Sequence, residues 1–188
     1  MTPSPSMVFD LDGTISIMRV ARLGTADLQS YRALMLRAYE EAPDAFTSTA
    51  QERAAEPDAW WEKRISDPTG RSVAFGAFAA DALVGTVTVE FAAKPKTRHK
   101  AHLIGMFVSE PARRSGASRA LVAAAIAEAK TRPEVVVMTL TVAEGNIPAV
   151  RLYESFGFAS FGVEPMAILT PNGYRSKVHM WLPLRCEN

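Results

Sequence analysis

The sequence predicts a mixed α/β (α+β) fold, and three observations support this. Ser72 to Ala79 and Leu83 to Phe91 are apolar, β-branched or aromatic runs separated by a short polar turn, which predicts an antiparallel hairpin. His102 to Val108 and Val135 to Val142 also read as strands, and a long amphipathic helix lies between them. A strand, helix and strand in succession form a parallel crossover unit. The length of 188 residues suits one domain, or one domain with a tail.

The elements before the hairpin are predicted from the spacing of apolar residues and from the positions of prolines and small polar residues. Alternating apolar and basic residues from Ile17 to Leu23 predict a first strand, and apolar residues from Leu28 to Ala38 then recur at helical spacing. Glu40 to Glu56 contains prolines and small polar residues, which predicts a loop with short helical pieces at most. A second helix is expected to begin at Glu56 or Asp58, to run through Ile65 and to end near Asp67.

Composition and charge narrow the function classes. Lys and Arg number 21 against 20 Asp and Glu, so the net charge of +1 predicts no bulk attraction to nucleic acid or to an anionic membrane. Cys186 is the single cysteine, which excludes an internal disulfide and favours a reducing compartment. No apolar run approaches the roughly 18 residues of a membrane span, and no secretion signal is apparent. We therefore expect a cytoplasmic protein.

The N-terminal stretch contains Met7 to Thr14, MVFDLDGT, which resembles the first motif of the haloacid dehalogenase (HAD) phosphatases. The resemblance implies that Asp10 is a nucleophile, that Asp12 is an acid or base, and that both bind Mg²⁺. Such a site also needs a doubly wound sheet, a downstream Lys and a further acidic cluster, and the following segments do not supply them. We expect residues 1–17 to form an extension and the match to be accidental.

The turn after the His102 to Val108 strand is rich in small residues and opens the long helix. Successive backbone amides there can point at one anion, and the positive end of the helix dipole adds to their attraction, so a pyrophosphate would fit. The candidate binding residues are Arg113, Arg114, Ser115, Gly116, Ala117 and Ser118. The helix that follows presents an apolar face from Leu121 to Ala129.

A second motif, Asn146 to Phe158, NIPAVRLYESFGF, predicts a self-contained helix. Asn146 is a good N-cap, Pro148 lies in the first turn where its missing N–H costs little, and Gly157 stands at the usual C-terminal position. Its buried stripe includes Tyr153.

Together the two motifs resemble those of the GCN5-related N-acetyltransferase (GNAT) superfamily. Arg113 and Gly116 match the acyl-CoA loop of that family, whereas Ser118 stands where the family prefers Gly or Ala. The resemblance implies a GNAT domain over residues 18–188, with a mixed, mostly antiparallel sheet flanked by helices. Its two central parallel strands would splay apart around the pantetheine arm of acetyl-CoA, the cosubstrate. Backbone groups of Met106, Phe107 and Val108 would hydrogen-bond that arm.

The resemblance also implies an activity, the transfer of acetyl from acetyl-CoA to a primary amine by direct attack through a tetrahedral intermediate. Tyr153 would protonate the leaving sulfur, although a packed aromatic side chain is the alternative reading. Asn146 would contact the cofactor or cap its helix. An amide near Phe107 or Val108 would stabilise the oxyanion.

The general base is less defined in the sequence. Glu90 and Glu110 lie at the end of predicted strands and are the main candidates, with Glu144, His102 or a chain of water molecules as alternatives. The three histidines have no ligand spacing, so we expect no metal site.

Other functions stay open at this point, and so does the acceptor. The domain could be an acyl-CoA sensor without turnover, or a protein N-terminal acetyltransferase, although Thr141 stands where that branch commonly has Glu. The phosphatase is a remote alternative. The acceptor is a small molecule or a peptide N-terminus, and Phe46, Trp60 and Trp61 are candidates to line its pocket. A homodimer is a family expectation only.

Overall fold

A computed structural model describes residues 6–9 and 15–185, with side chains from Met18 onward. Asp10 and Asp12 of the HAD-like motif lie outside the described residues. The strands are β1 (Ser6–Phe9), β2 (Ile15–Arg22), β3 (Ser72–Ala79), β4 (Ala82–Phe91), β5 (Lys100–Val108), β6 (Val137–Ala143), β7 (Ala159–Thr170) and β8 (Gly173–Pro183). The α-helices are α1 (Leu28–Glu41), α2 (Ala50–Ala54), α3 (Asp58–Ile65), α4 (Ala117–Lys130) and α5 (Ile147–Glu154).

The described strands form one sheet in the order β1-β2-β3-β4-β5-β6-β8-β7. Only β5 and β6 pair in parallel, and α4 is the crossover between them. The other neighbours are antiparallel. The predicted α/β (α+β) fold, with a mostly antiparallel sheet and flanking helices, is therefore confirmed.

The core has two parts, one on each face of the sheet. On one face, Leu121, Val122 and Ala125 of α4 are fully buried in a cluster that includes Val73 of β3. The neighbouring Ala74 joins the other cluster, which is built around the aromatic residues of α1 and α3. Successive strand residues point to opposite faces, so β3 serves both clusters. The sheet is thus covered by α4 on one face and by α1 and α3 on the other.

Truncating the α4 side of the core is expected to destabilise the fold. Leu121 is 0% exposed, so Leu121→Ala should lower the free energy of unfolding by about 3 kcal/mol through lost apolar contact and a residual cavity. Urea denaturation measures the change. Leu169→Ala is the matched control, because Leu169 is 71% exposed and its truncation should alter stability by less than about 0.5 kcal/mol. Equal effects of the two variants would contradict this account of the core.

At both edges of the sheet, the structure contains more strand than the sequence predicts. β7 and β8 form a long hairpin, of which the sequence predicts only a closing strand near Lys177 to Leu182, within β8. At the other end β1 pairs with β2, which begins at Ile15. The boundary expected between residues 17 and 18 falls inside β2, and the division of the chain there stays a prediction.

Of the helices in the described ranges, none combines the length and apolar character needed to cross a bilayer.

Candidate active site

The parallel strands β5 and β6 separate partway along their length. Their pairing runs from Lys100 with Val137 to Leu103 with Leu140 and stops there. The register between β4 and β5 shifts at the same level, where Gly105 adopts a left-handed φ of +62°, as in a β-bulge. The bulge turns the rest of β5 away from β6 and leaves a gap between the two strands.

Backbone polar groups of β5 face this gap. The Ser109 amide donates to the Val84 carbonyl on the β4 side at 2.9 Å. Because backbone groups alternate along a strand, the amide and carbonyl of Val108 face the opposite side, toward β6. The Val108 carbonyl accepts from Nε of Arg113 at 3.3 Å, which agrees with this direction. The Val108 amide is therefore directed into the gap.

The gap opens into a cleft of about 870 Å³, which is within the usual size of ligand sites. The predicted site residues that line it are Met106, Phe107, Val108, Arg113, Arg114, Ser118, Asn146 and Tyr153. These residues come from β5, the turn before α4, and α5, so the cleft unites both sequence motifs. A second group of lining residues comes from α1, the loop that follows it, and α3.

The turn before α4 has the backbone geometry of an anion nest. Arg114 and Gly116 have left-handed φ values of +66° and +84°, with Ser115 between them. Among the described residues, the amides of Arg114, Ser115, Gly116 and Ser118 have no protein acceptor. Unpaired donors at the positive end of a 14-residue helix attract an anion. A left-handed arginine is strained, and such strain is common at ligand sites.

Side chains in the turn hold its shape. Oγ of Ser115 donates to the Ala112 carbonyl at 2.7 Å, and the same oxygen accepts from the Ala117 amide at 3.3 Å. The Ala117 side chain is buried. Ser115, Gly116 and Ala117 do not line the cleft, whereas Arg113, Arg114 and Ser118 on either side of them do.

Helix α5 carries Asn146 and Tyr153 to the cleft. Oδ1 of Asn146 accepts from the Ala149 amide at 3.3 Å, so the residue caps the helix as its residue type predicts. Tyr153 is buried, packs edge-on against Phe158 at 5.8 Å, and its hydroxyl has no hydrogen bond to a described residue. Burial raises the pKa of Tyr153 to about 12, so the phenol stays protonated near neutral pH.

His102 on β5 also lines the cleft, and its hydrogen bonds indicate its tautomer. Oγ1 of Thr139 lies 2.9 Å from Nδ1 of His102, and that hydroxyl donates to the Ala101 carbonyl at 3.4 Å. The hydroxyl oxygen then accepts from Nδ1–H, which leaves Nε2 unprotonated. Burial lowers the pKa of His102 below its ordinary value of 6.5, while the charge of Glu90 opposes the shift. The neutral imidazole can accept a proton at neutral pH.

The candidate carboxylates lie elsewhere. Glu90, Glu110 and Glu144 are all exposed and do not line the cleft. Glu90 pairs with His102 in the register of β4 and β5, and it borders a smaller depression beside the same histidine. Among the described residues no group of His, Cys, Asp or Glu is arranged to hold a metal ion.

The sequence reading named three aromatic residues for the acceptor end, and they have different positions. Phe46 lines the cleft, Trp61 is fully buried against Tyr31, and Trp60 lies under the guanidinium groups of two arginines. The sequence reading missed those cations, Arg53 and Arg64, together with Lys177 on β8, although all three line the cleft. They come from three separate segments, and no local pattern in the sequence joins them.

Several solved structures share this fold at low sequence identity. The ribosomal-protein-alanine N-acetyltransferase of Brucella melitensis is 24% identical, with a TM-score of 0.72 over 88% of this chain and 99% of its own. The yncA protein of Salmonella typhimurium, solved with its cofactor acetyl-CoA, is 18% identical, with a TM-score of 0.76 over 91% and 96%. Arabidopsis thaliana NAA60 in complex with a bisubstrate analogue is 16% identical, with a TM-score of 0.68 over 88% and 97%. At these identities the similarity establishes the fold.

Sequence comparison gives the family. Among curated proteins, none matches this chain significantly. The sequence profile of the acetyltransferase (GNAT) family matches residues 35–158, which is more than half of the chain and spans both motifs and the cleft between them. The chain therefore belongs to the acetyltransferase (GNAT) family.

Proposed function

We propose that the protein is an N-acetyltransferase that transfers the acetyl group of acetyl-CoA to a primary amine. The observation that supports this most directly is the cleft itself. An anion nest, an opened sheet edge and a protonated tyrosine line one continuous space. The yncA structure with acetyl-CoA has the same fold, which agrees with acetyl-CoA as the cosubstrate.

In this proposal the cofactor lies across the turn before α4. The amides of Arg114 to Ser118 and the side chains of Arg113 and Arg114 bind the pyrophosphate. The pantetheine arm follows the gap and pairs with backbone groups of Met106 and Val108, as an added strand would, whereas the Phe107 carbonyl faces Gly85 of β4. Asn146 borders the arm through its amide nitrogen, because its oxygen already caps α5.

The chemical step is a direct displacement. The amine nitrogen attacks the thioester carbonyl carbon, a C–N bond forms, and the carbonyl oxygen becomes an oxyanion. The Val108 amide is the proposed donor to that oxyanion, because it faces the gap. The C–S bond then breaks, and the hydroxyl of Tyr153 gives its proton to the departing sulfur.

His102 is the base that we propose for the amine proton. Its neutral ring lines the cleft and has Nε2 available as an acceptor. Glu90 and Glu110 were the sequence-based candidates, and they remain alternatives that act through water, since neither lines the cleft. Glu90 also has a second proposed role, because its negative charge raises the pKa of His102.

A pH profile tests this assignment. Burial keeps the pKa of His102 below 6.5, so kcat/KM, expressed per concentration of neutral amine, should rise with pH on the acid side and level off once the ring is neutral. His102→Gln should remove that acid limb and lower kcat/KM about tenfold, less than the roughly 100-fold or more usual for a general base, because water can take over in part. Glu90→Gln should move the midpoint to lower pH, since it removes the charge that raises the pKa of His102. An intact acid limb in His102→Gln, or its loss in Glu110→Gln instead, would contradict the choice of His102.

The proposed activity is tested by following CoA thiol release and acetyl-amine formation with purified protein. A panel of amino acids, polyamines, aminoglycosides and peptides supplies the acceptors. Amine-dependent release of thiol with matching product supports the enzyme. Saturable acetyl-CoA binding without thiol release from any acceptor indicates the alternative, a non-catalytic acyl-CoA sensor. Turnover restricted to peptides would favour a protein N-terminal acetyltransferase.

Two further properties are proposed on more general grounds. The cytoplasm is the proposed compartment, because the sequence has a single cysteine and no apolar run of membrane-spanning length. A homodimer is proposed from the family resemblance, and sedimentation velocity decides between a 20.4 kDa monomer and a species of twice that mass.

A further inference from the structure

The acceptor end of the cleft has a positive charge that the acetyl transfer itself does not require. The acceptor end is the part lined by α1, the loop after it, α2 and α3, and it includes Arg53 and Arg64. Lys177 lines the cleft from β8, and among the described residues no Asp or Glu lines any part of the cleft. Nearby cations weaken the binding of a protonated amine and strengthen the binding of an anion. An acceptor with only positive groups would therefore bind here against an electrostatic cost.

Packing fixes the two guanidinium groups in place. The guanidinium carbons of Arg53 and Arg64 lie 4.4 Å and 4.7 Å from the centre of the same ring, that of Trp60. The Nε atoms of both arginines are buried without a hydrogen-bond partner among the described residues. Stacking and burial hold both heads in position before a ligand arrives, so little rotamer entropy is lost when one binds.

The two arginines differ in their partners. Arg53 donates to Oγ of Ser48 at 2.6 Å and makes a longer contact of 3.4 Å with the carboxylate of Glu56. The Arg64 side chain makes neither a hydrogen bond nor an ion pair with a described residue. Arg64 thus presents a fixed guanidinium without a counterion to the cleft.

Tyr39 lines the cleft together with both arginines. Burial raises the pKa of its hydroxyl, and the charges of Arg64 and Arg53 both oppose that shift. The two guanidinium groups are close to each other because both lie against the Trp60 ring. Two like charges around one phenol repel one another, and an anion between them would relieve that repulsion.

We propose that the acceptor is a small amine that carries a carboxylate, as an amino acid does, and that Arg64, supported by Arg53, binds this carboxylate. Because it names the acceptor, this proposal rests on the acetyl transfer described above. A guanidinium can donate two parallel hydrogen bonds to a carboxylate, and the amine then points toward the gap between β5 and β6. The same cations favour the neutral form of the amine, which is the form that attacks. Polyamines and aminoglycosides lack the anion, and a peptide replaces the carboxylate with a neutral amide.

Matched acceptors test the proposal directly. The twenty L-amino acids are compared with their primary amides and with the decarboxylated amines, at saturating acetyl-CoA, by thiol release and product mass. For at least one side chain, kcat/KM for the acid should exceed that for its amide by about 30-fold or more, as expected for charge-assisted hydrogen bonds. Equal or faster acetylation of the amides and amines overturns the proposal while leaving acetyl transfer intact.

The variant Arg64→Gln assigns the preference to one residue. It should lower kcat/KM for the preferred acid about 30-fold through a higher KM, and leave kcat/KM for the amide nearly unchanged. Arg37→Gln is the matched control, since Arg37 is exposed, pairs with Glu41 on α1 and does not line the cleft. An equal loss with acid and amide, or no loss with the acid, overturns the role of Arg64.

Titration with acetyl-CoA, together with the wider amine panel, separates the two levels of failure. A protein that acetylates other amines but none of the twenty acids overturns the acceptor assignment alone. A protein that binds acetyl-CoA but acetylates no amine overturns the proposed acetyl transfer as well. A protein that does not bind acetyl-CoA overturns the proposed acetyl transfer, and the acceptor assignment with it.

Discussion

Gly116→Asp is expected to abolish useful binding of acetyl-CoA, with a dissociation constant raised by about 1,000-fold, or about 4 kcal/mol. Gly116 is the N-cap of α4, and the amides around it are the proposed pyrophosphate ligands. A carboxylate at this position occupies the anion site and repels the phosphates that would enter it. Calorimetric titration of acetyl-CoA measures the loss.

A Cβ on Gly116 meets no heavy atom within 4 Å, but the left-handed φ of +84° strains any side chain there, Asp and Asn less than most. Thermal denaturation of each variant confirms that it is folded before the change in affinity is read as a binding effect. Gly116→Asn has nearly the same shape without the charge and should weaken binding by only about tenfold. Gly173→Asp is the control elsewhere, because Gly173 is also left-handed, with φ of +99°, and open on the β7–β8 hairpin. Equal acetyl-CoA affinity in all of these variants would contradict the assignment of the turn.

Tyr153→Phe is expected to lower kcat by about 100-fold to 1,000-fold, the usual effect of removing a general acid, with the KM for acetyl-CoA little changed. The hydroxyl has no protein hydrogen bond in the described part of the chain, and its raised pKa keeps the proton available for the sulfur. Steady-state thiol release with a good acceptor measures the change.

Two comparisons keep this result specific. Tyr31→Phe removes a hydroxyl from another buried tyrosine, which is on α1, packs against Trp61 and does not line the cleft. This variant should keep kcat within about twofold of the unchanged protein. Acetyl thioesters whose leaving thiol is more acidic than that of CoA should lose less, because a better leaving group needs less protonation. Full kcat in Tyr153→Phe would mean that another group or water protonates the sulfur.

The sequence predicted α4 and α5 well because their information is local. A helix start with a turn of small residues, an apolar face at helical spacing and a capping Asn are all visible in neighbouring residues. The same local pattern singled out the turn before α4, and the left-handed residues Arg114 and Gly116 lie within it, although the sequence did not predict their backbone conformation. The opened strand pair was implied by the family resemblance.

The sequence did not predict β7, and its bulges explain why. The pairing of β7 with β8 shifts register between Ser160 and Gly162 and again between Glu164 and Ile168, and Met166 has a left-handed φ of +55°. Each shift resets the alternation of faces, so the period of two is lost over the strand. Most of β7 is also exposed, so burial imposes no apolar pattern on it.

The cations of the cleft could not be predicted from the sequence, because they come together only through packing between segments that are distant in the chain. Arg53 of α2 and Arg64 of α3 both lie on Trp60 only because these two helices pack together, and Lys177 lines the same cleft from β8. The structure also changes which residue we propose as the base. Glu90 and Glu110 were the main candidates from the sequence, but both lie outside the cleft, whereas His102 lines it.

A crystal structure of the protein with acetyl-CoA tests the central claim most directly. We expect the pyrophosphate oxygens within hydrogen-bond distance of the amides of Arg114 to Ser118. We also expect the pantetheine arm between β5 and β6, with the thioester sulfur close to the Tyr153 hydroxyl. A cofactor bound elsewhere, or a gap between these strands that stays closed to the arm, would contradict the account.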